Sequence, residues 1–153
     1  MFYFAYVSNM CERQMVQRCP STRFVGVASL SDRRIAFTRS SVNRGCGVAD
    51  AVKSPGHKLW GLVYELSDAD VASLDRSEGY QAGRTRNCYW RRSCTVFLDG
   101  DDSRPFPAET YFAEAQPNPP RPNEAYKLLI VRGARGRLPP EYVSELELIE
   151  ADP

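Results

Sequence analysis

The sequence predicts an α+β fold, with strands through the middle of the chain and helices towards its end. Three observations carry this. Apolar, aromatic and β-branched runs such as Leu59-Trp60 and Leu62-Val63-Tyr64 recur through the middle of the chain. Helical signals gather after Asn123. The two kinds of segment do not alternate as a doubly wound sheet requires, and no internal repeat is present. At 153 residues the chain is expected to form one domain, residues 1–153, with a real apolar core.

The elements follow in order. Phe2 to Val7 reads as a short buried strand. Ser8 or Asn9 then caps a helix, and Glu12, three residues after Asn9, completes a capping box. Cys19-Pro20 ends that helix after Arg18. Phe24–Leu30 and Arg33–Thr38 read as two strands around a Ser-Asp turn, followed by a polar loop from Ser40 to Gly47. Gly47–Val52 is a weak strand and Ser54-Pro55-Gly56 a turn. Lys58–Leu66 is the clearest strand of the chain. Ser67 starts a short helix with Val71 and Leu74 on one face, and Glu78-Gly79 stops it. Asn87–Leu98 and Ala108–Ala113 are strands either side of an acidic turn. A proline-rich connector, Gln116–Pro122, leads to an amphipathic helix from Asn123 to about Arg132. Pro139-Pro140 opens the last helix.

The formal net charge of +1 supplies no bulk field for nucleic acid or membrane. The pairs Arg33-Arg34 and Arg91-Arg92 and the stretch Arg132–Arg137 lack interleaved aromatics, so they read as a solvated face. No apolar run approaches the roughly 20 residues that span a bilayer, and no signal-peptide pattern opens the chain. These features read as a cytoplasmic protein. The five cysteines are odd in number, with no CxxC pair, and there is one histidine. That pattern disfavours a disulfide framework and a metal site.

Two places could carry chemistry. At Tyr6-Val7-Ser8-Asn9-Met10 a strand runs into a helix start, where free backbone N–H groups suit a carboxylate or a developing oxyanion. An ordinary capped connection has the same pattern. Glu78 ends a short helix, against the negative end of its dipole; if also buried, its pKa rises and it suits general-base work. A solvated surface glutamate is the commoner origin of such a pattern. Tyr6, Tyr80, Tyr111 and Tyr126 are core phenols or ligand-binding ones. His57 falls in a turn, and nothing in the sequence joins it to Ser8 as a catalytic pair.

In their order these pieces resemble the γ-glutamylcyclotransferase family over nearly the whole chain. Tyr3-Phe4-Ala5-Tyr6-Val7-Ser8-Asn9-Met10 is similar to the family's N-terminal Tyr-Gly-Ser-Asn loop. Ser54-Pro55-Gly56, Trp60-Gly61-Leu62-Val63-Tyr64, and Leu74-Asp75 with Glu78-Gly79 follow. Tyr111, the proline-rich connector, Tyr126-Lys127, Gly133-Ala134 and Leu138-Pro139 complete the series. The Ser-Asn-Met ending resembles the glutamylcyclotransferase proper more than the γ-glutamylamine or glutathione-degrading branches. A bacterial relative of the butirosin type removes a γ-glutamyl protecting group in aminoglycoside synthesis.

The resemblance implies a small mixed β-barrel-like core with peripheral helices, one cavity, no cofactor and no metal. It implies intramolecular cyclisation of γ-glutamyl amides to 5-oxoproline, the chemistry of γ-glutamyl peptides and of glutathione metabolism. Glu78 would be the catalytic carboxylate, and Tyr6, Val7, Ser8, Asn9, Met10, Tyr111 and Tyr126 would bind substrate. The loop N–H groups would hold either the oxyanion or the α-carboxylate. Homodimers occur in the family. Two departures stand out. Val7 replaces the loop glycine, and Thr85 stands where close relatives can place a tyrosine. If position 7 needs positive φ, Val7 is strained; if the glycine serves clearance, Val7 narrows the pocket. A non-catalytic or repurposed small-molecule-binding module of the same fold is the alternative that Val7 admits.

Overall fold

The computed structural model describes residues 1–153. Five strands, β1 (Phe2–Ala5), β2 (Arg23–Ser41), β3 (Cys46–Glu65), β4 (Tyr89–Leu98) and β5 (Pro105–Ala113), close a barrel in the order β1-β3-β2-β4-β5. β1 runs antiparallel to β3, from Phe2 opposite Glu65 to Ala5 opposite Leu62, and parallel to β5 at Tyr3 opposite Glu109. The sheet is therefore mixed, and β1 is the strand that shuts it. Four helices pack outside: α1 (Glu12–Arg18), α2 (Asp68–Glu78), α3 (Glu124–Ala134) and α4 (Pro140–Glu147).

Alternation along the strands sorts two apolar clusters. Phe4, Leu30, Leu59, Val63, Val96 and Ala108, with at least one side chain from every strand, fill one of them. Tyr3 and Ala5 belong to the other, where Met15, Leu74, Ile130 and Leu146 bring in one residue from each helix. In α3 the buried positions Tyr126, Ile130, Val131 and Ala134 make one apolar stripe.

The four short strands expected between residues 24 and 66 are two long ones. Pairing jumps from Ser31 opposite Lys58 to Arg33 opposite Lys53, so Asp32 faces the four-residue stretch from Ser54 to His57. Asp32 has φ 60° and Gly56 φ 82°, and the Asp32 carboxylate accepts the Gly56 N–H at 2.9 Å. Turn-forming residues here mark a bulge inside one hairpin, because they supply the left-handed conformations a bulge needs.

The expected capping box also does not form. After Ala5 the chain makes one 3₁₀ turn, Ser8–Met10; Cys11 is the N-cap of α1, and no side chain caps it. The Asn9 amide is instead used in tertiary hydrogen bonds. The other helix ends are as expected. Ser67 accepts the Asp70 N–H at the start of α2, Gly79 closes that helix with φ 65°, and Asn123 accepts the Tyr126 N–H at the start of α3. Gly133 lets α3 lie against the Ser8–Met10 turn: a Cβ there would run into the Met10 backbone.

Candidate active site

The turn after β1, the ends of α1 and α2, the β2–β3 hairpin and α3 enclose a cavity of about 600 Å³. Tyr6, Val7, Ser8, Glu78, Tyr111 and Tyr126 all line it. Asn9 and Met10 do not. Asn9 is 2% exposed and stands behind the wall, while Met10 is fully buried in the core. Tyr80 packs edge-on against Trp90 and Tyr111 outside the lining.

Glu78 is the last residue of α2, and its side chain is 16% exposed. Its Oε1 accepts from Asn9 Nδ2 at 3.0 Å and from Arg18 Nη1 at 3.4 Å. Asn9 Nδ2 also reaches the Tyr3 hydroxyl at 2.9 Å. Asn9 Oδ1 accepts from Gln14 Nε2 at 2.8 Å and from Arg18 Nη1 at 2.9 Å. Gln14 and Arg18 lie one helical turn apart on α1, so one face of that helix meets both Asn9 and Glu78. Burial raises the Glu78 pKa above the ordinary carboxylate value; Arg18, the Asn9 hydrogen bond and Arg44 pull it down without cancelling the rise.

The loop and Arg44 together form one wall of the cavity. Met10 N–H and Cys11 N–H bond to the Val7 and Ser8 carbonyls at 2.9 and 3.0 Å, while the N–H groups that open the 3₁₀ turn lie outside its ladder. The Arg44 guanidinium is fixed beside them, donating to Ser8 Oγ at 3.2 Å and Gln14 Oε1 at 2.9 Å, and it lies 4.7 Å over the Tyr126 ring. Val7 has φ −134°, so its backbone carries no left-handed strain, and the consequence of the missing glycine is the isopropyl group on the cavity wall.

The tyrosine hydroxyls divide by their partners. Tyr6 donates to the Tyr111 carbonyl at 2.6 Å, and Tyr111 donates to Asp75 Oδ1 at 2.6 Å, so both protons are committed to the scaffold. The Tyr126 hydroxyl accepts the Ala49 N–H at 3.2 Å and keeps its own proton for a ligand. Burial pushes its pKa up to about 12, so that proton stays on at neutral pH.

Ser8 Oγ accepts from Gln14 and Arg44, neither of which is a base, so the hydroxyl is not set up as a nucleophile. His57 Nδ1 pairs with Ser54 Oγ on the exposed bulge. Tyr3, Gln14, Arg18 and Arg44 were not singled out from the sequence. The spacing of Gln14 and Arg18 was a usable signal; Arg44, in a polar hairpin turn, had none.

A small closed barrel whose cavity is lined by one carboxylate, raised by burial, together with arginines and a phenolic donor, is built to take a small polar molecule. The AIG2-like family model matches residues 58–146. The chain is similar to γ-glutamylcyclotransferase of Bos taurus, 32% identical over 97% of this chain and 78% of that protein. It is 31% identical to γ-glutamylcyclotransferase of Homo sapiens over the same shares of the two chains. A solved structure named γ-glutamyl cyclotransferase superimposes with a TM-score of 0.87 at 29% identity, covering 99% of this chain and 89% of that one. The chain belongs to this AIG2-like γ-glutamylcyclotransferase family.

Proposed function

We infer that the protein is a γ-glutamyl cyclotransferase, converting a γ-glutamyl amide to 5-oxoproline and a free amine. The observation that carries the reading is the Glu78 carboxylate: in a chain of this family, it stands at the cavity wall with Oε1 held by Asn9 and Arg18, and burial has made it a stronger base.

The substrate's α-amino nitrogen is an ammonium at neutral pH and has no lone pair for attack. Glu78 takes one of its protons. The freed amine adds to the substrate's own γ-carbonyl carbon, and the five-membered ring closes. Because nucleophile and electrophile share one molecule, holding the folded conformer supplies much of the rate. As the tetrahedral centre collapses, the amide C–N bond breaks and the leaving nitrogen is protonated through Glu78. Two of the ammonium's three protons end on the leaving amine, and Glu78 returns to its starting state. No protein nucleophile takes part.

The Val7 and Ser8 N–H groups, with Arg44 beside them, receive the substrate's α-carboxylate, since a full negative charge is matched there by a full positive one. Tyr126 offers its proton to a substrate oxygen. Tyr6 and Tyr111 act as shaped walls.

Release of 5-oxoproline from γ-glutamyl-alanine, glutathione and γ-glutamyl-ε-lysine tests the reading, with Glu78→Gln as control. At least one amide should be turned over, and the variant should lose about 10²-fold or more. Wild-type turnover in the variant removes the general-base role. No release from any amide removes the activity.

A further inference from the structure

The tip of the β2–β3 hairpin brings Arg44 to the cavity wall, yet little holds its backbone there. Gly45 N–H bonds the Ser41 carbonyl at 2.8 Å and Arg44 N–H bonds Ser41 Oγ at 3.2 Å, both within the hairpin. Val42, at the same tip, is 97% exposed, so its side chain supplies no apolar anchor. One hydrogen bond reaches the backbone of residues 42–45 from elsewhere in the chain: Asn123 Nδ2 donates to the Arg44 carbonyl at 3.3 Å.

The same amide serves Tyr126. Asn123 is the N-cap of α3, and its Oδ1 accepts the Tyr126 N–H at 2.9 Å. The Arg44 guanidinium lies 4.7 Å over the Tyr126 ring, so the two ends of one side chain hold two stacked cavity residues. Asn123 itself does not line the cavity. Capping needs only an acceptor, and Ser or Asp supplies one as well as Asn does. The helix start therefore does not account for the donor end of the amide. Asn123 is in turn fixed by its neighbours: Asp152 N–H donates to the Pro122 carbonyl at 2.9 Å, and Glu124 N–H to the Asp152 carbonyl at 2.8 Å. The connector before it grips the hairpin lower down, where Gly47 N–H bonds the Arg121 carbonyl at 2.8 Å and a Cβ on Gly47 would strike the Pro120 carbonyl. A loop-borne cation supported this way is already ordered, and an anion that meets it does not bear the entropy of ordering the loop.

We propose that Asn123 is a positioning residue for substrate binding: its amide donor sets the Arg44 loop, and with it the station for the substrate's α-carboxylate. This rests on the γ-glutamyl cyclotransferase reading above, in which Arg44 receives that carboxylate. The α-carboxylate keeps its charge from bound substrate to product. A displaced Arg44 therefore weakens the ground state and the transition state alike. The loss falls on KM, and kcat is kept.

Asn123→Asp keeps the cap acceptor and has no donor; Asn123→Ser keeps it, uncharged, on a side chain too short to reach Arg44. Both should melt within about 3 °C of their parent. γ-Glutamyl-alanine and 4-aminobutyryl-alanine differ only by the α-carboxylate. Their affinities are measured by titration calorimetry in a Glu78→Gln background, which halts turnover. The parent should bind the γ-glutamyl amide on the order of 10- to 100-fold tighter. Either Asn123 exchange should weaken that amide by about 5- to 20-fold and leave the 4-aminobutyryl amide within about twofold. With Glu78 intact, KM should rise by a similar factor while kcat stays within about threefold. Unchanged affinity for the γ-glutamyl amide in either variant, an equal loss for both amides, or a melting temperature lowered by more than about 3 °C in both variants overturns the assignment and leaves Asn123 a scaffold residue. Equal affinities of the parent for the two amides take the α-carboxylate away from Arg44 and overturn it as well. Release of 5-oxoproline by the wild type is read separately. A selective loss of the γ-glutamyl amide without release would keep the role of Asn123 and remove the catalytic reading; release without a selective loss would do the reverse.

Discussion

Asn9 donates its amide N–H to Oε1 of Glu78 at 3.0 Å across 69 positions of sequence. The same nitrogen reaches Tyr3, and the carbonyl end of the amide collects Gln14 and Arg18. One buried amide therefore joins β1, α1 and the end of α2 behind the cavity wall. It orients the carboxylate without lining the cavity, which makes it a positioning residue.

Asn9→Ala should be destabilised by about 1–3 kcal/mol, since it strands buried polar partners. The variant should also move the acid limb of the pH–rate profile to higher pH, because the Asn9 hydrogen bond is one of the influences holding the Glu78 pKa down. Loss of stability with an unmoved pH profile would leave Asn9 a scaffold residue only. A melt and a pH–rate series on the same preparation separate the two.

Ionised Glu78 should cost stability. In the unfolded chain it titrates near the ordinary value of about 4.3, and in the fold burial raises it. Between those two pKa values the folded protein holds more proton than the unfolded chain, so stability falls as pH rises through that window. Glu78→Gln should accordingly melt higher than its parent at pH 7, with the gap closing below the ordinary carboxylate range. The activity of the parent should fall as pH drops through the raised value. A variant that melts lower at every pH would mean that the Arg18 and Asn9 contacts outweigh burial.

Val7→Gly tests clearance. Since Val7 has φ −134°, the left-handed conformation that favours glycine is not used there. The exchange should cost no more than about 1 kcal/mol. Turnover of small amides should be unchanged or higher, with the larger gain for bulky leaving amines. A large loss for every amide would show instead that the isopropyl group packs on the substrate. Paired kcat/KM values for a small and a bulky amide decide it.

Gly133→Ala should disturb the site from behind. The new Cβ would lie 2.6 Å from the Cys11 nitrogen and run into the Met10 backbone. Overpacking of this kind costs about 1–3 kcal/mol. Because the displaced atoms belong to the loop's own turn, KM should rise together with the drop in melting temperature. A destabilised variant with unaltered KM would show that the loop moves as a rigid unit with α3.

Much of the fold was legible in the chain. Ser67 and Gly79 bound α2, Asn123 opens α3, and Pro140 opens α4, because caps act within a few residues of themselves. In the hairpin of β2 and β3 the turn signals read locally as breaks between four strands, whereas the chain runs as two. Asp32 and Gly56 do adopt the left-handed conformations their turn chemistry suggests, but they use them opposite one another within a bulge. The Asn9–Glu12 capping box failed for a related reason: a local acceptor lost to tertiary ones.

The sequence by itself determined the four helices and their order, Glu78 at a helix end, and a strand-to-helix junction at Tyr6, Val7 and Ser8. Local signals suffice for these, since propensity and capping depend on near neighbours. Only the tertiary structure decided that Asn9 stands behind the wall, that the Tyr111 proton goes to Asp75 while that of Tyr126 is kept, and that Arg18, Arg39 and Arg44 face inward. An arginine in an open helix or a polar hairpin is indistinguishable from a solvated one until the chain closes around it. Burial and charge pairing arise from contacts far apart in sequence, and those contacts exist only once the barrel has shut.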